Sequence, residues 1–250
     1  MSMKFLGIDF GWRSQPSGLC CLEWQQGKLH LVSLERLMAI AEILNWVDRW
    51  VASTESGVIA VDAPTLIPNA TGMRLCDRLT HKYFGRYHAG CYPANLGSPF
   101  AERTLELGLS LEARGFAHAP AIAPQQPGRH QIEVFPHPAM IHLFKLEQIL
   151  KYKKGKLAER RAELARLRHY ILTILPHLEP ALSLPEGLPP IPTRGTDLKA
   201  LEDQLDSLIC AYVAAHWWHW GTARNWVLGD RTTGYIVVPM PDGSPMLPEI

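Results

Sequence analysis

Several features are missing from this 250-residue sequence, and each absence excludes something. Cysteine is scarce: Cys20, Cys21, Cys76, Cys91 and Cys210 are an odd set with no Cys-x-x-Cys pair, so neither a disulfide framework nor a zinc site is implied. We expect reduced thiols. Net charge is almost absent, 25 Lys and Arg against 24 Asp and Glu, so any basic surface has to be local rather than global. No run of about 18 apolar residues is present, and no basic segment followed by an apolar core and a small-residue cleavage site opens the chain. The expectation is a soluble cytoplasmic protein with no membrane partner. Internal repeats and low-complexity tracts are also missing. With 47% hydrophobic residues, the chain has material for a large core, and we read residues 1–250 as one domain.

The residues that are present begin with Phe5-Leu6-Gly7-Ile8-Asp9-Phe10-Gly11, an apolar run carrying one carboxylate and closed by glycine. It reads as a buried first strand with Asp9 at its carboxyl end. A turn over residues 11–18 leads to strands Leu19–Trp24 and Lys28–Leu34, which completes an antiparallel meander. Apolar residues at 37, 40, 43, 44, 47 and 51 predict a helix. Gly57–Val61 then predicts a fourth strand, ended by Asp62-Ala63-Pro64. Residues 66–130 read as a helical insertion beside the sheet. Gln131–Phe135 is a short strand carrying Glu133, Ala139–Leu150 and Lys156–Leu175 read as helices, and residues 176–195 hold six prolines in a connection. Thr196-Asp197 caps a long final helix to about Trp220, Tyr235–Pro239 is a last strand, and the tail from Pro241 is rich in turns.

Carboxylates stand where a plain core would have none: Asp9, Asp62, Glu133, and the pair Asp203 and Asp206 one helical turn apart. If the strands are neighbours these acids converge, and converging carboxylates repel unless cations neutralise them. Hard divalent ions such as Mg²⁺ or Mn²⁺ take oxygen ligands, and a pair of them can clamp an in-line phosphoryl displacement. The expectation is phosphodiester hydrolysis, with Asp9, Asp62 and Asp206 as metal ligands and with Glu133 and Asp203 as further catalytic candidates.

The order of elements, a meander, a helix, a strand ending in acid, another strand and a late acidic helix, resembles the ribonuclease H-like fold. Asp203-Gln204-Leu205-Asp206-Ser207-Leu208 is similar to the Asp-x-x-Asp-Ala-Leu element of Holliday-junction resolvases of that fold, with Ser207 in place of Ala. The chain as a whole resembles the DUF429 family, whose members are described as predicted nucleases of the ribonuclease H fold. That resemblance runs through Gly7-Ile8-Asp9, Ala60 to Pro64, Gly72 to Asp77, Glu133 to Pro136, Tyr152-Lys153, Asp203 to Ala211 and Gly234 to Pro239. It implies an α/β fold with a mixed five-stranded sheet flanked by helices, the insertion following the fourth strand, and a nuclease activity.

Arg74, Arg78, Lys82 and Arg86 recur every four residues, and between Lys145 and Arg168 nine Lys or Arg face three Glu. We take Arg74, Arg78, Lys82, Arg86, Lys151 and Lys153 as candidates for binding nucleic-acid phosphates. His81, His88 and Cys91 match no zinc spacing. Two rival readings stand beside the nuclease. One is a non-catalytic module that binds nucleic acid or protein on the same fold. The other is an actin-like or sugar-kinase phosphotransferase, which requires a duplicated domain and a second Asp-x-Gly phosphate loop that the sequence does not show. Oligomeric state, a dimer included, and the choice between DNA and RNA are left open.

Overall fold

The computed structural model describes residues 3–13 and 15–240, so Ser14 of the expected first turn and the turn-rich tail from Pro241 lie outside the described residues. Three strands run first, β1 (Met3–Asp9), β2 (Ser17–Gln25) and β3 (Lys28–Leu37), paired antiparallel in sequence. The β2–β3 hairpin turns on Gln26 and Gly27, both at positive φ (50° and 78°), the two-residue turn whose twist matches its strands. Helix α1 (Ile40–Trp50) follows, its Glu42 carboxylate accepting from the Ala39 amide at the helix start. Strand β4 (Gly57–Val61) then lies parallel to β1. The insertion holds α2 (Leu75–Phe84), α3 (Ala101–Glu112) and a two-residue strand, β5 (Ala117–His118). Strand β6 (Arg129–Glu133) pairs parallel with β4, and helices α4 (Pro136–Leu143) and α5 (Leu157–Thr173) follow it. The chain continues through β7 (Leu182–Ser183), α6 (Gly195–Trp220) and a hairpin of β8 (Asn225–Asp230) and β9 (Gly234–Pro239).

The main sheet has the order β5-β6-β4-β1-β2-β3-β7, so β1 is central, with the meander on one side and β4 on the other. Its inner five strands are those the sequence predicts. The count is seven rather than five, because β5 and β7 add two-residue pairings at the two edges. Pairings so short leave no alternation to read. Another departure is the predicted helix Ala139–Leu150, which ends at Leu143. Lys145 takes a left-handed conformation (φ 53°) and the Leu146 amide donates to the Ile141 carbonyl at 3.0 Å, so the chain is turned out of the helix. Strand β8, the partner of β9, has no counterpart in the sequence reading.

Alternation along the strands sorts the core into two layers. Phe5, Cys20, Val58, Ala60, Ile132 and Val134 pack with α6 and α5 on one face. Leu6, Ile8, Leu19, Ile59 and Val61 pack with Ile43, Trp46 and Val47 of α1 and Leu107 and Leu111 of α3 on the other. Each of the Val, Leu, Ile and Phe side chains among them contributes about 1.5–3 kcal/mol on burial. Helix α6 is hydrophobic almost all round because it is covered almost all round. Among the described residues no helix is long and apolar enough to cross a membrane.

Candidate active site

The same alternation places the acids. Phe5 faces α6, so Gly7 and Asp9 face it too; Val58 and Ala60 face α6, and so does Asp62, whose amide extends the ladder by donating to the Ile8 carbonyl at 2.8 Å. Because β1 and β4 are parallel neighbours, both carboxylates emerge at the same edge of the sheet and on the same face. Glycine lets the helix come down onto them. A Cβ on Gly7 would sit 1.9 Å from the Ser207 carbonyl oxygen and 2.4 Å from the Ala211 nitrogen, and one on Gly18 would sit 1.9 Å from the Asp203 carbonyl oxygen. Gly18 is the register partner of Asp9, so the turn of α6 from Asp203 to Ser207 passes directly over Asp9.

Asp9, Asp62 and Asp206 therefore approach one another closely enough for their charges to act on each other. Asp206 is fully buried, while Asp9 and Asp62 are half-buried and keep an opening to solvent. The Tyr152 hydroxyl donates to Asp206 Oδ1 at 2.6 Å, and the Lys153 ammonium lies 2.7 Å from Oδ2. No hydrogen bond of ordinary geometry reaches that second oxygen, so the lysine acts on it as a charge. Burial pushes the Asp9 carboxyl well above its usual range. Lys153 pulls it down, and Asp206, Asp62 and Asp203 push it further up. Asp62 is raised to about 7, first by burial, with Lys153 opposing and Asp206 adding to it, and Asp62 shares a hydrogen bond with Asp9. Two carboxyl groups can share that bond only by holding a proton between them. Burial works against the Lys153 charge, but Asp206, Asp9 and Asp62 together hold it well above the ordinary lysine range. Its side chain is a third exposed, so the ammonium lies at the mouth of the cluster.

The remaining predicted acids are elsewhere. Glu133 is the register partner of Val61, which faces α1, and so it points away from the face that carries Asp9 and Asp62. There the Arg74 guanidinium grips both of its oxygens, at 2.7 and 2.6 Å, and also bonds Asp77 at 2.9 Å. Burial pushes Glu133 up to about 7 against the pull of Arg74, while the carboxylate overrides burial to keep Arg74 charged. Arg74 is thus buried and occupied, and the structure does not set it on a surface with the other candidate cations; Arg78, Lys82, Arg86 and Lys151 are exposed. Asp203 is taken by Arg36 at 3.0 Å and Lys199 at 2.7 Å.

Two members of the cluster take roles beside Asp206 that residue type does not announce, although Lys153 is among the cations expected to bind phosphate. Tyr152 and Lys153 lie in a loop of the basic block, and no spacing tells that lysine apart from its solvated neighbours; only the Tyr152-Lys153 pairing within the family resemblance marks it. His137 is another: its ring centre is 5.8 Å from that of Tyr152, its buried Nδ1 has no hydrogen-bond partner among the described residues, and burial, then Lys153, pushes it down to about 4.

Among the described residues no group of three or more His, Cys, Asp and Glu side chains is gathered as a metal site. The donor chemistry nevertheless suits a hard divalent ion: Asp9, Asp62 and Asp206 offer only oxygen, and the raised Asp9 and Asp62 mark excess negative charge that a dication relieves. Asp206 would complete such a set once Lys153 withdraws from Oδ2.

Comparison with curated proteins gave no match. Among solved structures the chain is similar to that described as "T. thermophilus RuvC in complex with Holliday junction substrate", at 12% identity and a TM-score of 0.31 over 86% of this chain and 97% of that one. A family model, described as "Protein of unknown function (DUF429)", matches residues 7–232, and the chain belongs to that family.

Proposed function

We propose that this protein hydrolyses phosphodiester bonds in nucleic acid with the help of a divalent metal ion, on a ribonuclease H-like sheet. One observation carries the reading: Asp9 and Asp62 stand at the same end of adjacent parallel strands, on the face that the buried Asp206 covers, and the negative charges of the three act on one another. Crowding of this kind destabilises the fold for no structural return, because among the described residues no arginine or set of backbone amides satisfies Asp9 and Asp62 as Arg74 satisfies Glu133. Asp9, Asp62 and Asp206 would hold Mg²⁺ or Mn²⁺, which when bound supplies a polarised phosphate and a nucleophilic water at neutral pH. Both carboxyl groups are raised, so they become full oxygen donors only as pH rises, which favours the reaction on the alkaline side. Lys153, released from Asp206, remains at the mouth to meet a phosphate oxygen. Tyr152 keeps Asp206 oriented through its hydroxyl. Asp203, clamped by Arg36 and Lys199, fixes the helix turn above Asp9.

The test is cleavage of a mixed panel of single-stranded, duplex and branched DNA and RNA with Mn²⁺ by wild type, Asp9→Asn and Asp206→Asn. We expect cleavage by wild type and its loss in both variants. Equal cleavage by all three would move the site elsewhere. A second reading, a binding module without catalysis, is favoured by the occupation of both Asp206 oxygens by Tyr152 and Lys153. Wild type that neither cleaves nor binds divalent metal would establish it.

A further inference from the structure

Away from the carboxylates, a pocket of about 260 Å³ opens between the end of α2, the last turn of α4 and β8, lined by Lys82, Tyr83, Arg86, Tyr87, His142 and Trp226. Its walls are rings in mutual contact. His142 meets Trp226 edge-on, with centroids 5.0 Å apart and planes at 84°, and Tyr83 tilts against Trp226 at 5.6 Å. His142 Nδ1 lies 2.6 Å from the Pro239 carbonyl, which fixes that ring in place. The two cations lie against ring faces, Lys82 5.2 Å from the centre of Tyr83 and Arg86 4.5 Å from that of Tyr87. Among the described residues no carboxylate lines the pocket.

Rings alone would suit any flat apolar ligand, and cations alone any anion. A concave site with both, and with no acid, suits a flat ring that carries a phosphate. The volume narrows this further, because it lies below the roughly 300–1,000 Å³ of pockets for drug-sized ligands, so a dinucleotide is too large. We propose that the pocket takes one unstacked nucleotide of a nucleic-acid strand, its base against the rings of Tyr83 and Trp226 and its phosphate on Lys82 and Arg86. The proposal rests on nucleic acid being the substrate, and α4 ties the two places together. His137 near its start touches Tyr152, the partner of Asp206, and His142 lies five residues on, about 7.5 Å of helix rise. That rise is about two nucleotides of a helical strand, and the same step turns about 140° round the helix, so a strand seated in the pocket reaches Asp9 and Asp62 by wrapping round α4.

The experiment uses the full chain in EDTA, so that no cleavage intervenes, with adenosine monophosphate, inorganic phosphate and a short labelled single strand of DNA as probes. Titration calorimetry measures the first two and fluorescence anisotropy the third. We expect adenosine monophosphate and the strand to bind, with inorganic phosphate weaker than the nucleotide. Trp226→Ala should weaken both ligands by about 5- to 150-fold, and Trp226→Phe should restore most of the loss. Lys82→Gln with Arg86→Gln, both exposed, should lower the salt slope of strand binding by about 1.4. The proposal is overturned if phosphate binds as well as the nucleotide, if no probe binds, or if the strand binds and neither the ring nor the cation variants change its affinity. In that last case nucleic-acid binding stands and only the pocket fails. Nucleotide binding that follows the variants in a protein that cleaves nothing with Mn²⁺ supports the pocket and removes the hydrolase.

Discussion

Two clusters of buried acids lie on opposite faces of one sheet, and they are settled in opposite ways. On one face a single guanidinium meets Glu133 and Asp77 with several short bonds, so every charge has a geometric partner. On the other the Lys153 ammonium, a third exposed, serves Asp206 directly and reaches Asp9 and Asp62 only through its field, with Lys199 adding a weaker pull on Asp62. The first arrangement is what a structural ion network requires, a forked planar cation with matched acceptors. The second leaves excess negative charge and a shared proton, which costs stability and is the kind of arrangement found where a ligand is to be bound. The clusters differ in exposure, since Asp9 and Asp62 are half-buried and Glu133 and Asp77 buried, but the larger distinction lies in how completely the negative charge is answered.

The largest effect expected from breaking this contrast is on the satisfied side. Arg74→Met leaves Glu133 and Asp77 buried without their cation and should cost about 3–5 kcal/mol, read as the loss of unfolding free energy in urea. A loss under about 1 kcal/mol would mean that Arg74 is dispensable and that the contrast is not real. Next comes the approach of α6 to β1. Gly7→Ala puts a methyl group into the backbone of Ser207 and Ala211, so the helix has to lift, at a cost of about 3 kcal/mol. This lifting separates Asp206 from Asp9 while leaving Arg74 untouched, so Mn²⁺ affinity by calorimetry should fall with stability. Unchanged affinity would show that α6 carries no part of the site.

Much of this was legible in the sequence, and what was not has physical causes. Strand parity and apolar runs identify the five inner strands, and Asp9, Asp62 and the pair on α6 stand out because acids are rare in such surroundings. Glu133 carries the same signal with a different outcome, because its side depends on the register of β6 against β4, which sequence alone does not contain. Arg74 looked like one of four evenly spaced cations, yet it lies at the start of α2, where the chain turns inward. Edge strands β5 and β7 form through pairing rather than local preference. Lys153 acquires its role from where a loop lies, and a loop in a basic block has no periodicity to reveal it.

A third prediction uses pH to separate the clusters. Asp62 is raised from an ordinary value to about 7 in the folded protein, so between about pH 4 and 7 the folded state binds more protons at this site than the unfolded state does. Its contribution to stability therefore falls as pH rises through that window and is flat above it. His137, pushed down to about 4, runs the other way over part of the same range, so the wild-type curve alone is ambiguous. The difference between Asp62→Asn and wild type isolates the acid. The full shift corresponds to about 4 kcal/mol, which solvent screening at this half-buried site reduces to about 2 kcal/mol gained by the variant relative to wild type between pH 4 and pH 8, with the gap opening below pH 7 and constant above it. A difference that does not vary with pH would show that Asp62 ionises in the ordinary range, as a satisfied carboxylate does.

The smallest effect is expected at Lys153, and it tests the unsatisfied side most directly. Removing the ammonium with Lys153→Met takes from Asp206 the one cation paired with it among the described residues, but Tyr152 still donates to Oδ1 and the cluster can take up a proton in compensation. The loss should therefore be modest, about 1 kcal/mol at pH 8, where the carboxylates are least protonated, and close to zero at pH 5. Divalent metal supplies the complement. If Lys153 holds a place that a cation takes, Mn²⁺ should raise the melting temperature of Lys153→Met by more than that of wild type, because nothing has to leave Asp206 first, and linkage converts the tighter binding into stability. Arg74→Met should show no such rescue, since Glu133 and Asp77 lie on the other face. A thermal-shift titration with Mn²⁺ at pH 8 compares the three proteins. Equal shifts in wild type and Lys153→Met would mean that the ammonium and the metal do not share a position, and rescue of Arg74→Met would erase the distinction between the two clusters.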